Sequence, residues 1–153
     1  DVMRLKVQAK IREELGAAYS PAVVNNQSRD IKDDGFIGFD TLTSPSQIPE
    51  VQQAYTDIIA ELQTVGGITE DELQRALQPI LANLASSEER NGFWLYRVDR
   101  LHREPNTMQE WHNLPELYQS ITVADLRASA MRYLIPERQI DGLILPMTHN
   151  ASQ

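Results

Sequence analysis

The sequence predicts an α+β fold in which an antiparallel β-sheet is backed by several helices. Apolar residues recur every three or four positions along most of the 153 residues, which is typical of helices. Two short runs near the start, residues 17–27 and 36–42, have the composition of strands instead. Because strands and helices are grouped along the chain rather than alternating one by one, their order favours an α+β fold over a parallel α/β fold.

A first helix is predicted from the start of the chain to about Leu15. Its apolar stripe consists of Val2, Leu5 and Ala9. Gly16 follows at the position where a helix C-terminal glycine is common. Arg12 continues the stripe, and a charged side chain at the end of an apolar stripe needs a partner or a cleft. The first residues already have the pattern of a helix interior, so we expect part of the protein to precede Asp1.

A β-hairpin with a long loop is predicted to follow the first helix. Residues 17–27 are expected to be extended, with Pro21 limiting the hydrogen bonds of their ladder. The polar residues 28–35 end in Asp-Gly, which favours a hairpin turn. Residues 36–42 then form the second, antiparallel strand.

A closing strand is predicted at residues 139–145, after Pro136 ends the last helix. Three strands make a thin sheet for this number of helices. We therefore expect one or two partner strands upstream of Asp1 or from another chain. The domain is assigned to residues 1–146, and residues 147–153 are expected to form a loose tail.

The middle of the chain predicts two helices separated by Gly66 and Gly67. The apolar face of the first is formed by Ile48, Val51, Tyr55, Ile58, Ile59 and Leu62. The second begins at a capping box, in which Thr69 is the cap and Glu72 lies three residues later. Pro79 lies within the second helix and predicts a kink.

Three further helical segments are predicted after an Asn-Gly pair at residues 91–92, which either breaks or bends the long second helix. The first covers residues 93–101 and is rich in aromatic side chains. A shorter stretch over residues 107–118 is interrupted by Pro115. The last helix is capped at Thr122 and extends to about Leu134.

The composition argues against several classes of function. Lys and Arg number 14 against 22 Asp and Glu, which gives a net charge of −8. This balance argues against a general nucleic-acid binder and against electrostatic docking on anionic membranes. No apolar run approaches the ~20 residues of a membrane span. With 0 cysteines, the sequence excludes thiol catalysis, cysteine-based zinc sites and disulfides.

No single residue type carries a strong catalytic signal. The three histidines are His102, His112 and His149. None lies in a metal-binding pattern, so we expect structural or solvated roles for them. The sequence also contains no nucleophile elbow and no glycine-rich phosphate loop. The aromatic residues Phe93, Trp94 and Trp111 could line a pocket, although core packing is the favoured role.

Arg12 and Tyr19 are the candidate binding residues. Arg12 lies in the last turn of the first helix, and Tyr19 follows the glycine where the chain becomes extended. Both could reach one cleft at this corner, where a guanidinium and a hydroxyl can hold a peptide carbonyl or an oxyanion formed from it. The alternative is that Arg12 complements the helix dipole while Tyr19 packs at the sheet edge. Spacing alone favours that alternative.

At residues 11–20 the sequence resembles the insulinase (pitrilysin) family of zinc metallopeptidases, in the second, non-zinc half of those proteins. Members carry Leu-Arg-Glu-Glu-x-Gly-x-x-Tyr-Ser there, and this chain has Ile-Arg-Glu-Glu-Leu-Gly-Ala-Ala-Tyr-Ser. Further similar motifs follow in the family's order at residues 35–39, 43–45, 67–73, 91–94, 121–126 and 133–134. The resemblance extends from about Leu5 to Pro146.

The resemblance implies one half of a clamshell, with an antiparallel sheet backed by helices and with the first strands of the domain absent here. In the family, the other half binds zinc through His-x-x-Glu-His and a distal Glu. This half supplies an Arg and a Tyr, seven residues apart, that bind the substrate peptide, and Arg12 and Tyr19 match them. The zinc motif is absent from this sequence. The resemblance therefore implies a separate catalytic half, in the same precursor or another subunit, and an inactive chain when alone.

The implied function is the substrate-binding half of a zinc-dependent metalloendopeptidase that acts on peptides or unfolded polypeptides. Tyr19 donates a hydrogen bond to the scissile carbonyl as it becomes an oxyanion, while Arg12 anchors the neighbouring backbone. The alternatives are a non-catalytic structural or assembly subunit of the same family, and a module that binds peptides without cleavage. The presence of both residues favours the first. Similarity to exported bacterial members favours the periplasm.

Overall fold

The computed structural model of the protein describes residues 1–28, 31, 34–101 and 107–145. Over these residues the fold consists of seven α-helices and one two-stranded antiparallel sheet. The prediction of an α+β fold is confirmed. The expected domain end at residue 146 and the tail over residues 147–153 lie outside the described residues and stay predictions.

Helix α1 has two parts, an α-helical segment Val2–Val7 and a π-helical continuation Gln8–Glu14. The predicted end near Leu15 is confirmed, and Gly16 follows with φ +57°. The predicted stripe is wrong in part, because Ala9 is exposed. The buried face instead follows a four-residue spacing. It is formed by Val2, Met3, Lys6, Val7 and Ile11.

The predicted hairpin is confirmed as strands β1 (Ala22–Gln27) and β2 (Gly35–Asp40), which pair antiparallel. The first strand is shorter than predicted, because residues 17–21 form the turn after the first helix and are not part of the strand. β1 begins directly after Pro21, which has no N–H to donate to a ladder. Val23 and Phe39 are partners in the register and pack together against the core. Phe39 also stacks on Tyr55, with 4.3 Å between the ring centroids.

The predicted closing strand is wrong. Residues 139–145 form neither helix nor strand, and within the described residues the sheet contains β1 and β2 alone. A strand needs a neighbouring strand to bond its N–H and C=O groups, and this run has none. Its apolar side chains point into solvent, with Ile140 93% and Ile144 98% exposed.

The two helices of the middle segment form as predicted. A 3₁₀ turn at Pro45–Gln47 leads into α2 (Ile48–Gln63), and α3 covers Glu70–Ser87. The capping box of Thr69 and Glu72 is present at the start of α3. Pro79 lies within α3, and its kink stays a prediction.

Four helices follow. They are α4 (Asn91–Leu101), α5 (Thr107–His112), α6 (Leu114–Ser120) and α7 (Val123–Tyr133). The break between α5 and α6 falls at Asn113, with Pro115 in the first turn of α6, as the sequence predicts. Thr122 and Asp125 form the predicted capping box of α7. A 3₁₀ turn at Pro136–Arg138 follows.

The core lies between α1, α2, α3 and the inner face of the hairpin. Its best-buried side chains are Ile11, Ile58 and Val7. Among the described residues of the main buried cluster, Ala130 is the one member from beyond residue 80. The side chain of Gln63 joins α7 to this core, because its amide donates to the carbonyls of Ala130 and Leu134. The end of α1 and the start of β1 are therefore fixed on a packed support.

Candidate functional site

Arg12 and Tyr19 come together on the surface at the corner between α1 and β1. The guanidinium carbon of Arg12 lies 5.2 Å from the centroid of the Tyr19 ring, within the range of a cation–π contact. Tyr19 is 83% exposed, and Arg12 is exposed as well. We call these two residues the Arg12–Tyr19 pair. The structure brings the two side chains into contact, and their role in binding stays a prediction.

Two backbone hydrogen bonds and a left-handed glycine form the turn between the two residues. Leu15 N–H donates to the carbonyl of Lys10 at 3.1 Å, an i→i−5 bond that gives this end of the helix its wider π turn. Gly16 then adopts a left-handed backbone, which reverses the chain direction and favours glycine. Ala17 N–H donates to the carbonyl of Ile11 at 3.0 Å. Ile11 is 0% and Ala17 5% exposed, so an exposed pair stands on a fixed turn.

The pair presents hydrogen-bond donors to solvent. Arginine has five N–H donors in a rigid fork, and tyrosine has one O–H. The nearby Glu14 accepts from Lys10 Nζ at 2.9 Å and not from Arg12. Among the residues that the structure describes, no acidic side chain forms an ion pair with Arg12. The guanidinium can therefore bind an external carbonyl or carboxylate.

The described residues do not form a metal site. Across residues 1–28, 31, 34–101 and 107–145, no three or more His, Cys, Asp or Glu side chains are grouped so that they could hold a metal ion. His112 is exposed at the end of α5. His102 and His149 lie outside the described residues.

The family match shows what kind of domain contains the corner between α1 and β1. The family model described as "Peptidase M16 inactive domain" matches residues 2–80, which is more than half of the chain. The chain belongs to this family. The predicted resemblance to the non-zinc domain of the insulinase family is confirmed. Comparisons with curated proteins and with solved structures gave no match.

The match to the M16 inactive domain covers α1, the hairpin, α2 and the first part of α3. The Arg12–Tyr19 pair and the turn that supports it lie inside this region. The similar motifs beyond residue 80 lie outside it and stay a resemblance. In the described part of the chain, no helix is both long enough and apolar enough to span a membrane.

Lys6 is a buried charged residue of the M16 region that the sequence analysis missed. It is 7% exposed, and its ammonium contacts Glu61 at 2.7 Å and Glu72 at 2.8 Å. Burial acts to lower the pKa of Lys6, but the hydrogen bonds and charges of the two glutamates outweigh it and raise this pKa above its usual value. Glu72 also accepts from the N–H and hydroxyl of Thr69. Lys6 therefore ties α1 to α2 and to the capping box of α3.

Arg97 is a second buried cation that the sequence analysis missed, and it lies beyond the M16 match. It is 7% exposed, with its guanidinium carbon 3.5 Å from the ring centroid of Phe93 and 4.0 Å from that of Trp111. Burial lowers the pKa of Arg97, against a smaller opposing effect of Glu88. The aromatic residues expected in a pocket or a core therefore surround a cation. The i, i+4 spacing of Phe93 and Arg97 on α4 was the available signal.

Proposed function

We propose that this chain is the substrate-binding, non-zinc half of a zinc-dependent metalloendopeptidase that acts on peptides or unfolded polypeptides. The observation that carries the proposal is the Arg12–Tyr19 pair, exposed and in contact on a rigid corner of an M16 inactive domain. An exposed donor pair of this kind suits a substrate backbone, which offers a row of carbonyl acceptors.

In this proposal the two side chains have different tasks. The hydroxyl of Tyr19 donates to the scissile carbonyl oxygen and strengthens that bond as negative charge develops on the oxygen. The guanidinium of Arg12 binds a neighbouring carbonyl and fixes the register of the peptide. A donor whose bond strengthens in the transition state accelerates the reaction, whereas a uniform anchor improves binding alone. We therefore assign Tyr19 mainly to turnover and Arg12 to both binding and turnover.

The zinc ion belongs, in this proposal, to a separate catalytic half that faces the Arg12–Tyr19 pair. In the described part of this chain, no three or more His, Cys, Asp or Glu side chains are grouped to hold a metal ion, and a peptidase family whose domain here is the inactive one needs a second half for hydrolysis. The chain alone is therefore expected to leave peptides intact with or without added zinc. We further propose a bacterial periplasmic location, which fractionation of the source cells would test.

The test is peptide hydrolysis by the chain assembled with its catalytic half. Arg12→Ala and Tyr19→Phe should each reduce turnover by ~10²-fold or more, as the loss of an oxyanion donor does. A matched control exists on α7, where Arg132 lies 5.2 Å from the ring centroid of Tyr133 in a similar exposed contact. Arg132→Ala and Tyr133→Phe should leave turnover unchanged. Full activity of both the Arg12 and the Tyr19 variants would contradict the proposal.

The alternative is a structural or assembly subunit of the same family. One observation favours it, which is the run of exposed apolar side chains at residues 139–145, where Ile140 and Ile144 are almost fully exposed. In that case removal of this run should prevent association with the partner half, while Arg12→Ala and Tyr19→Phe should have no effect on hydrolysis.

A further inference from the structure

The Ala17 carbonyl, midway through the turn that supports the Arg12–Tyr19 pair, is held from a distant part of the chain. Thr43, which follows β2, donates its hydroxyl to this carbonyl at 2.7 Å. Thr43 is half-buried and Ala17 is buried. A buried carbonyl that loses its partner is costly, so this bond strongly favours one orientation of the peptide that follows Ala17.

We propose that Thr43 is a positioning residue, whose hydroxyl fixes the turn so that Tyr19 meets Arg12 and faces the substrate. This inference rests on the proposed function and adds to it a residue that does not itself touch the substrate. It also explains why the corner needs the hairpin, because β2 delivers Thr43 to the turn that precedes β1.

The geometry shows why this hydrogen bond controls Tyr19 in particular. On the helix side, the turn is already fixed by the bond from Ala17 N–H to the Ile11 carbonyl. On the strand side, Tyr19 is 83% exposed, and its ring contact is with Arg12. The Ala17 N–H bond fixes the chain as far as the Ala17 nitrogen. The Thr43 bond acts one step further along, on the Ala17 carbonyl, and so restrains the peptide that leads through Ala18 to Tyr19.

The first experiment measures the geometry in the chain itself. The Tyr19 ring should shift the NMR signals of the Arg12 side-chain protons through its ring current. Thr43→Val removes the hydroxyl while keeping the shape, so this shift should shrink, whereas Thr43→Ser should preserve it. Thr41→Val is the matched control, because Thr41 shares a hydrogen bond with Tyr55 at the same strand end and does not touch the turn. An unchanged ring-current shift in Thr43→Val would overturn the inference.

The second experiment measures turnover in the chain assembled with its catalytic half. Misplacement of a binding group by about 1 Å can reduce the rate ~10²-fold, so Thr43→Val should lower kcat about tenfold to a hundredfold with a smaller change in KM. Thr43→Ser should restore kcat, and Thr41→Val should leave it unchanged. A merely structural role would lower the thermal stability of Thr43→Val but leave kcat intact below its unfolding temperature.

A double-mutant comparison separates this inference from the proposed function. If Thr43 acts through Tyr19, adding Thr43→Val to Tyr19→Phe should cause little further loss of kcat, because residues that act as a unit are not additive. A further full loss in the double variant would overturn the inference while leaving Tyr19 in place. If Arg12→Ala and Tyr19→Phe both keep full turnover, the proposed function is wrong, and the ring-current measurement still decides whether Thr43 positions the pair.

Discussion

Two buried cations show how the two regions of this chain differ. Lys6, in the M16-matched region, and Arg97, beyond it, are each 7% exposed. Lys6 is neutralised by two carboxylates from α2 and α3, whereas Arg97 is covered by the ring faces of α4 and α5. An ammonium is a compact, strongly hydrated charge that needs anions when buried, while a planar guanidinium can stack on aromatic rings. In the first region the buried cation is held by ion pairs between helices, and in the second it is held by cation–π contacts with aromatic rings.

The two regions also differ in how many of their apolar side chains are buried. The main buried cluster lies within residues 2–80 apart from Ala130. Large apolar side chains face solvent in both regions, for example Leu42 (92% exposed) in the first and Ile144 (98% exposed) in the second. The difference lies in the buried residues, and the first region therefore holds most of the packing that supports the Arg12–Tyr19 pair.

The largest expected effect comes from truncating a buried isoleucine to alanine in the first region, compared with the same substitution in the second. Ile11→Ala removes a side chain that is 0% exposed directly under the turn, so it should lower the free energy of unfolding by about 2–5 kcal/mol. Ile144→Ala removes a side chain that is 98% exposed and should change it by less than about 0.5 kcal/mol. Urea unfolding followed by circular dichroism measures both. Equal losses in the two variants would contradict the division between the regions.

The next effect separates the two buried cations. Lys6→Met keeps an apolar stem but leaves the half-buried Glu72 without its cation, which should cost about 1–3 kcal/mol of unfolding free energy. Among the described residues, the nearest contacts of Arg97 are aromatic rings, and its charge interaction with Glu88 is the smaller effect, so Arg97→Met should cost less. Adding Glu72→Gln to Lys6→Met should recover part of the loss. A larger cost at Arg97 than at Lys6 would show that ring contacts, and not charge pairing, dominate.

The pH dependence is the control for the Lys6 variant. Burial acts to raise the pKa of Glu72, but Lys6 and the Thr69 donors outweigh it and lower this pKa. A lowered folded-state pKa contributes stability above the unfolded pKa, about 4.3 for Glu, and that stability is lost as the pH falls through the folded value. Lys6 has a raised pKa, so its contribution is lost only in strong alkali. Lys6→Met should therefore flatten the acid limb of stability between about pH 5 and pH 3.

Local signals account for what the sequence predicts well. The capping boxes at Thr69 and Thr122 are each complete within three residues, and both helices begin there. The chain reversal between Arg12 and Tyr19 is also a local feature, because Gly16 lies between them with a left-handed backbone.

Distant partners account for what the sequence does not reveal. Lys6 is buried because Glu61, 55 residues away, supplies its charge partner. Thr43 meets Ala17 across 26 residues through the pairing of the hairpin. The prediction of a closing strand was wrong for the same reason. Residues 139–145 have the composition of a strand, but within the described residues no neighbouring strand pairs with them. Composition predicts the tendency of a segment, and only the fold supplies its partner.

The smallest expected effect has opposite signs in the two regions. Gly16 has φ +57°, so Gly16→Ala forces an L-residue into the left-handed region and should cost about 1–2 kcal/mol of unfolding free energy. Gly92 lies in α4 without a positive φ, so Gly92→Ala should stabilise by roughly 0.5–1 kcal/mol. Neither added methyl group meets an atom within 4 Å, so backbone conformation alone sets both signs. Thermal unfolding measures the pair, and a stabilising Gly16→Ala would show that the turn under the Arg12–Tyr19 pair does not require its left-handed glycine.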